Sequence, residues 1–493
     1  MTADEPRPED FETGRPILFR GGTVLSMDPA IGLLEGGDVL VRGKRIDSVG
    51  RDLQAPDEAV VVDATGGILM PGMVDTHRHM WQTALRGLGA DWTLSQYFVF
   101  YYLNWGHIFR AQDIHAGNLL SAVEAIDAGV TTTVDWSHGL RTPEHADAAV
   151  EALRSVPGRF VLAYGNIAQG PWEWATSPDF RSFIERTLAS RSDMLGLQLA
   201  FDVTGDAGFP EKAAFETARD LGLRVTTHAG VRGATGDPGI RLMWDHGFMT
   251  PDVTYVHAST LGEDSYQRIA ASGGTVSVSA ESEQNAGQGY PPTWRLRRHR
   301  IPASLSMDTS VWFSGDMFSA MRATLSADRG REHLEAHAQE KTVVHNRLRA
   351  REVVEWATIG GARALGMDNR IGSLTPGKQA DLVLVKNDRD PAMFPLLHPY
   401  GHVVQQAGRG DVHTVLVDGK VVKYQHELLG TDLSRARDAV GSTVEHARAA
   451  LGEGGWREAL EPAIQEAEPM SNPYTYSTYR GDAVAGQDEE SQA

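Results

Sequence analysis

From residue 68 to residue 308 the chain repeats one pattern: a short β-branched run, then a stretch with helical spacing. The runs are ILMPGMVDT (68–76), GVTTTVDWS (129–137), RFVLAYGN (159–166), LGLQLAFDVT (195–204), LRVTTHAG (223–230), VTYVHAS (253–259), GTVSVSA (274–280) and IPASLSMD (301–308). Stretches such as FPEKAAFETARDLG separate them with apolar residues at helical intervals. Strands joined through helices run parallel with right-handed crossovers. Eight of them predict an α/β chain whose sheet closes into a (β/α)8 TIM barrel rather than staying open.

Two β-rich segments flank this body, residues 17–70 and 371–429. Their common texture predicts one small β-sandwich built from both chain termini. The barrel then takes residues 71–370. Residues 1–16 form a polar N-terminal arm, and 430–493 a helical extension that ends in a polar, extended or disordered tail. The absence of cysteine removes disulfides, Cys-bound zinc, Fe–S clusters and thiol catalysis together. A net charge of −19 argues against nucleic acid and anionic membranes as partners. The one basic cluster, RLRRHR (295–300), reads as a helix face. No apolar run reaches membrane-spanning length, and the acidic N-terminus lacks a secretory pattern, so the expected location is the cytoplasm.

The chemistry concentrates at strand ends. His77 and His79 sit two apart at the end of the first barrel strand, and residues i and i+2 of a strand share a face. Two imidazoles on one face can grip a divalent ion. His228 ends the fifth strand, His257 the sixth and Asp308 the eighth. Barrel enzymes assemble their sites from the C-terminal ends of several strands. Four histidines and a carboxylate at such positions predict a metal-dependent site.

The pattern resembles the amidohydrolase superfamily over most of the chain. PGMVDTHRHMWQTALRG (71–87) is similar to its first-strand signature and AIDAGVTTTVD (125–135) to its next strand. IGSLTPGKQADLVLV with TVLVDGKVV is similar to the return into its β-domain. The nearest branch in texture is that of the triazine chlorohydrolases and the aminohydrolases of adenosine-type and guanine-type substrates. The resemblance implies His77, His79, His228 and Asp308 as ligands of one divalent metal ion. Zinc suits them best, with Fe2+ or Mn2+ as alternatives. It gives Asp308 a second role as proton acceptor, and His257 the role of orienting substrate or water or polarising a leaving group. It also suggests a homo-oligomer. Two-metal members use a lysine on the fourth strand, whereas this chain has no lysine between Lys44 and Lys212.

One departure stands out. Many deaminases of this branch carry a glutamate three residues after the fifth-strand histidine, as proton shuttle to the leaving amine. Here that residue is Val231. Glu281 and Glu283, on the loop after the seventh strand, are candidates for the shuttle or for binding a cationic substrate; the alternative is a solvated loop or an ion pair to Arg295. Trp81, Gln82, His138 and Asp202 are candidate substrate contacts; Trp81 and Gln82 are equally able to pack the barrel top, and the alternative for His138 is a buried or surface histidine. Trp172 and Trp174 form either an aromatic lid or anchors for their own loop. The leading expectation is metal-dependent hydrolysis of a C–N bond (amide, urea, amidine or ring amine) in a small planar or N-heterocyclic substrate. Without the glutamate, amides and ureas lead slightly over deamination. The alternatives are a deaminase with a relocated shuttle and an inactive barrel kept as a binding protein.

Overall fold

A computed structural model describes residues 5–190, 192–231 and 234–464, apart from the side chains of residues 103 and 104. Eight parallel strands pair in sequence order: β1 (Met73–Arg78), β2 (Val130–Ser137), β3 (Arg159–Tyr164), β4 (Leu195–Ala200), β5 (Arg224–Ala229), β6 (Val253–His257), β7 (Thr275–Val278) and β8 (Ala303–Leu305). Helices connect them, as the alternation predicts. The ring closes between β8 and β1 through a parallel bridge of Arg78 with Asp308. The His79 N–H donates to the Asp308 carbonyl at 2.7 Å, and the Asp308 N–H to that of His77 at 3.1 Å. The seam of the barrel thus runs through three of the strand-end residues.

Residues 68–76 do not form one barrel strand, as the apolar run suggested. Ile68–Pro71 belongs to the second sheet, antiparallel to Leu382–Val385. Gly72 makes the transition. A Cβ there would lie 2.1 Å from Thr131 Oγ1, so no larger residue fits.

The second sheet has nine strands drawn from both ends of the chain. Ile17–Leu25, Leu33–Arg42, Arg45–Gly50 and Val60–Asp63 come from one end, and Leu382–Val385, Val412–Val417, Lys420–Tyr424 and Glu427–Leu428 from the other. It encloses its own apolar core, including Phe19, Val39, Leu69, Leu382 and Leu416. One buried ion pair ties it to the barrel: Arg159 on β3 donates to Asp381, and also to Gln379 Oε1 at 2.8 Å.

Inside the barrel, hydroxyls replace part of the usual aliphatic filling. Thr76 bonds to Ser277 at 2.7 Å and to Ser304 at 2.8 Å, and Ser306 bonds to Ser277 and Ser279. These buried hydroxyls satisfy one another.

The helical extension is Leu433–Leu460, kinked at Gly452. It packs on the helix Ala111–Asp127, where Thr443 donates to Asp113 at 2.9 Å. The polar tail lies outside the described residues. RLRRHR falls on the helix Thr293–His299 and the residue capping it, and Arg295 pairs with Glu263 at 2.6 Å. Among the described residues no helix is long and apolar enough to cross a membrane.

Candidate metal centre and active site

The five strand-end residues converge. The rings of His77 and His79 lie 4.7 Å apart, and those of His77 and His228 5.0 Å. Asp308 Oδ1 sits 3.2 Å from His77 Nε2 and 3.4 Å from His79 Nε2. Asp308 Oδ2 is 3.9 Å from His257 Nε2. Nitrogens of His77, His79 and His228 all fall within 4.8 Å of one another, as do donor atoms of His77, His257 and Asp308.

Three of the imidazoles are fixed from behind, so that Nε2 is the atom left for the centre. His79 Nδ1 donates to the Trp136 carbonyl at 2.8 Å. His228 Nδ1 donates to Asp202 Oδ2 at 3.0 Å, and the His228 N–H donates to Asp202 Oδ1 at 2.7 Å. His257 Nδ1 donates to Glu283 Oε1 at 3.3 Å. Such outer partners set tautomer and ring orientation in metal-binding histidines. Asp308 also accepts from the Ser282 hydroxyl.

The electrostatics fit a cation. Burial holds His77 well below its ordinary pKa and His79 at about 4, so both are neutral donors. Burial pushes the Asp308 carboxyl up, but the imidazoles of His77, His257 and His79 outweigh it and hold it well below the usual carboxylate range. Burial also lowers His228, and the Asp202 carboxylate more than reverses this. His77 Nδ1 is buried without a hydrogen-bond partner. Neutral imidazoles, a carboxylate and an unpartnered buried nitrogen form a donor set suited to zinc.

The backbone is unusual at the same place. His257 has φ 70° and Asp308 φ 64°, both in the left-handed region that non-glycine residues rarely enter. Strain of this kind collects at functional sites, where the surroundings hold it.

Above the histidines opens a cavity. His79, His228, His257 and Asp308 form its base, with Asp202 beside them. Val231, Ala234 and Leu94 give one apolar part, while Tyr97, Phe98, Tyr102 and Trp312 give an aromatic one. Gln288 is the only amide, and no lysine or arginine is among the described lining residues.

The other sequence candidates separate. Asp202 borders the cavity but its carboxylate is engaged by His228. Trp81 is fully buried behind the site, edge-on to Tyr101, Phe109 and His138, and is not part of the lining. Gln82 is equally buried and bonds to Tyr97 and Thr309. His138 is buried beside His79, with ring centroids 4.4 Å apart, and also lies off the cavity. All three follow strand ends directly, but the chain turns them down into the barrel top. Glu281 and Glu283 are not on an open loop, since both fall in the short helix Ala280–Asn285. Glu283 turns inward to His257, while Glu281 accepts from Ser319 at 3.0 Å and stays out of the cavity. Neither pairs with Arg295, which is taken by Glu263. Trp174 packs on Tyr164 and Phe180, and Trp172 is partly exposed, so this loop places no tryptophan in the cavity wall.

The aromatic wall was not anticipated from sequence. Its signal is the run YFVFYYLNW (97–105), with six aromatic residues in nine. That density is more than a connecting segment needs for its own packing.

Comparison with known proteins agrees with this geometry. The chain is 30% identical over 425 residues to a 5-methylthioadenosine/S-adenosylhomocysteine deaminase of Symbiobacterium thermophilum, covering 82% of this chain and 93% of the relative. Its fold matches a zinc-complexed atrazine chlorohydrolase of Arthrobacter aurescens with a TM-score of 0.73 at 21% identity, over 87% of this chain and 100% of the other. It matches a zinc-bound adenosine deaminase of Xanthomonas campestris with a TM-score of 0.72 at 23% identity, over 88% and 98%. At these identities the structural likeness establishes the shared fold. The model of the amidohydrolase family matches residues 68–422, and with most of the chain inside that match, the protein belongs to the amidohydrolase family.

Proposed function

We propose that the chain is a metal-dependent hydrolase that removes an exocyclic amine from a small, planar N-heterocycle. The observation that carries this is the convergence of His77, His79, His228 and Asp308 beneath an aromatic cavity with no lysine or arginine among its described lining residues. Relatives named as deaminases of adenosine-type compounds tip the balance from amides and ureas towards amines. A lining without lysine or arginine among the described residues suits a neutral or cationic ring better than a phosphate or carboxylate.

His77, His79, His228 and Asp308 would hold one divalent ion, zinc best matching the donors. When bound, such an ion supplies Lewis-acid activation of a water nucleophile. Asp308 accepts the water proton, because its carboxylate borders the cavity and stays ionised beside three imidazoles. The water oxygen bonds to the ring carbon, the C–N bond breaks, and the amine leaves as ammonia carrying the proton taken from water. Tyr97, Phe98, Tyr102 and Trp312 orient the ring and exclude bulk water.

Val231 and Ala234 bring no proton donor to the place where the family resemblance implies a glutamate. His257 fills that role: Glu283 holds its Nδ1–H, so Nε2 takes the proton from Asp308, 3.9 Å away, and passes it to the leaving amine. Glu283 is therefore the relocated carboxylate, acting through His257, and Glu281 takes no part.

The test is ammonia release from a panel of amino-heterocycles by enzyme loaded with one zinc per chain. Release from at least one member supports the reading. Silence across the panel, with amides and ureas hydrolysed instead, overturns the choice of leaving group.

A further inference from the structure

Tyr97 lines the cavity, and behind it runs a chain of hydrogen bonds with a single direction. The Val311 N–H donates to Thr309 Oγ1 at 3.2 Å. That contact occupies a lone pair of the hydroxyl, and its proton goes to Gln82 Oε1 at 2.8 Å. With its oxygen accepting, the Gln82 amide turns its NH2 towards Tyr97 and donates to the phenol oxygen at 2.6 Å. A phenol that accepts one hydrogen bond still has its own proton to give. Among the described residues, Gln82 is the one hydrogen-bond partner of the Tyr97 hydroxyl. Gln82 is 0% exposed, Thr309 1% and Tyr97 5%. Gln82 and Thr309 are therefore withdrawn from bulk water, and the direction of the relay is set by the Thr309 proton, whose acceptor is Gln82 Oε1.

We propose that Tyr97 is a fixed hydrogen-bond donor that selects heterocycles bearing an acceptor, a ring nitrogen or a carbonyl oxygen, at the position it faces, with Thr309 and Gln82 setting its direction. This inference rests on the heterocycle-hydrolase reading above and deepens it. Gln82 becomes a positioning residue rather than a substrate contact, one bond removed from the ring. A buried donor left without its acceptor is costly, so a site built this way rejects the analogue that lacks it. The aromatic neighbours tolerate any flat ring, whereas Tyr97 distinguishes one flat ring from another.

The experiment measures binding by tryptophan quenching and turnover by ammonia release, on the same zinc-loaded protein. Trp312, in the cavity wall, is the reporter. The probes are adenosine, guanine and cytosine, each beside deaza analogues in which C–H replaces one ring nitrogen. Wild type is expected to prefer the nitrogen-bearing ring at least tenfold at one ring position. Tyr97→Phe is expected to bind both members of that pair equally, near the level of wild type with the deaza compound. Gln82→Glu is expected to lose the same discrimination with the phenol still present, because a carboxylate at position 82 takes the Tyr97 proton for itself. A merely structural Gln82 would not produce that pattern.

The proposal is overturned if Tyr97→Phe, with wild-type metal content and melting temperature, keeps wild-type discrimination. It is equally overturned if wild type shows no preference at any ring position. Failure of the hydrolase reading looks different: discrimination persists in binding while no probe releases ammonia.

Discussion

Glu283 Oε1 lies 3.3 Å from His257 Nδ1, with both side chains withdrawn from solvent, and the Ser279 N–H donates to the same carboxylate oxygen at 2.9 Å. A histidine seated this way has one tautomer, and its free nitrogen faces the cavity. The pair spans β6 and the helix after β7, so neither sequence neighbourhood contains it.

Replacing Glu283 with glutamine keeps an oxygen for Nδ1–H but removes the charge that stabilises a protonated imidazole. We expect kcat to fall by about 10²-fold, the scale of general acid–base contributions, with KM and zinc content near wild type. Steady-state kinetics with metal analysis checks this. Unchanged kcat would show that His257 works without the carboxylate charge.

Chelation should silence the enzyme and lower its melting temperature, and added zinc should restore both. Ligand at 100 times its dissociation constant stabilises by about 2.7 kcal/mol. The site should also empty as pH falls, because the imidazoles must be neutral to bind. Metal content after dialysis across a pH series reads this directly: with His79 at about 4, loss is expected as pH falls to that value and below, and a content that does not fall there would contradict the assigned donors.

Glu281 offers a pH test outside the metal centre. Burial pushes its carboxyl up to about 7, against an ordinary 4.5. A carboxyl with a raised folded-state pKa binds its proton more tightly folded than unfolded. The resulting stability is full below about pH 4.5 and is lost as pH rises through 7. The shift corresponds to at most about 3 kcal/mol. Glu281→Gln should therefore gain on wild type steadily between those limits. Parallel stability curves for the two proteins across this window would refute the effect.

The Arg159–Asp381 pair joins barrel to β-sheet and is almost wholly buried. Asp381→Asn leaves a buried guanidinium without its counter-charge, which costs about 3–5 kcal/mol. Urea unfolding should show that loss with the metal site still filled. A cost below ~1 kcal/mol would mean that Gln379 alone can satisfy Arg159.

Sequence alone determined the architecture and the gathering of histidines and a carboxylate at the strand ends. Alternation of β-branched runs with helical stretches is local, and a parallel barrel is the layout that buries both. His77, His79, His228, His257 and Asp308 were legible because each lies at or just past the C-terminal end of a predicted strand, where barrel enzymes assemble their sites. The tertiary structure decided everything that depends on which side chains meet from distant segments. Gly72 splits an apolar run between two sheets because Thr131 fills the space its Cβ would need. Trp81 and Gln82, at the start of the segment after β1, and His138, just past β2, turn inward and pack the barrel top, while the cavity wall comes from further along that first segment, at Leu94, Tyr97, Phe98 and Tyr102. Glu283 was a loop carboxylate in sequence and became the partner of His257 once the helix after β7 folded back. Tyr97 stands 15 residues beyond Gln82, and the hydrogen bond between them is set by packing, which neither periodicity nor spacing encodes.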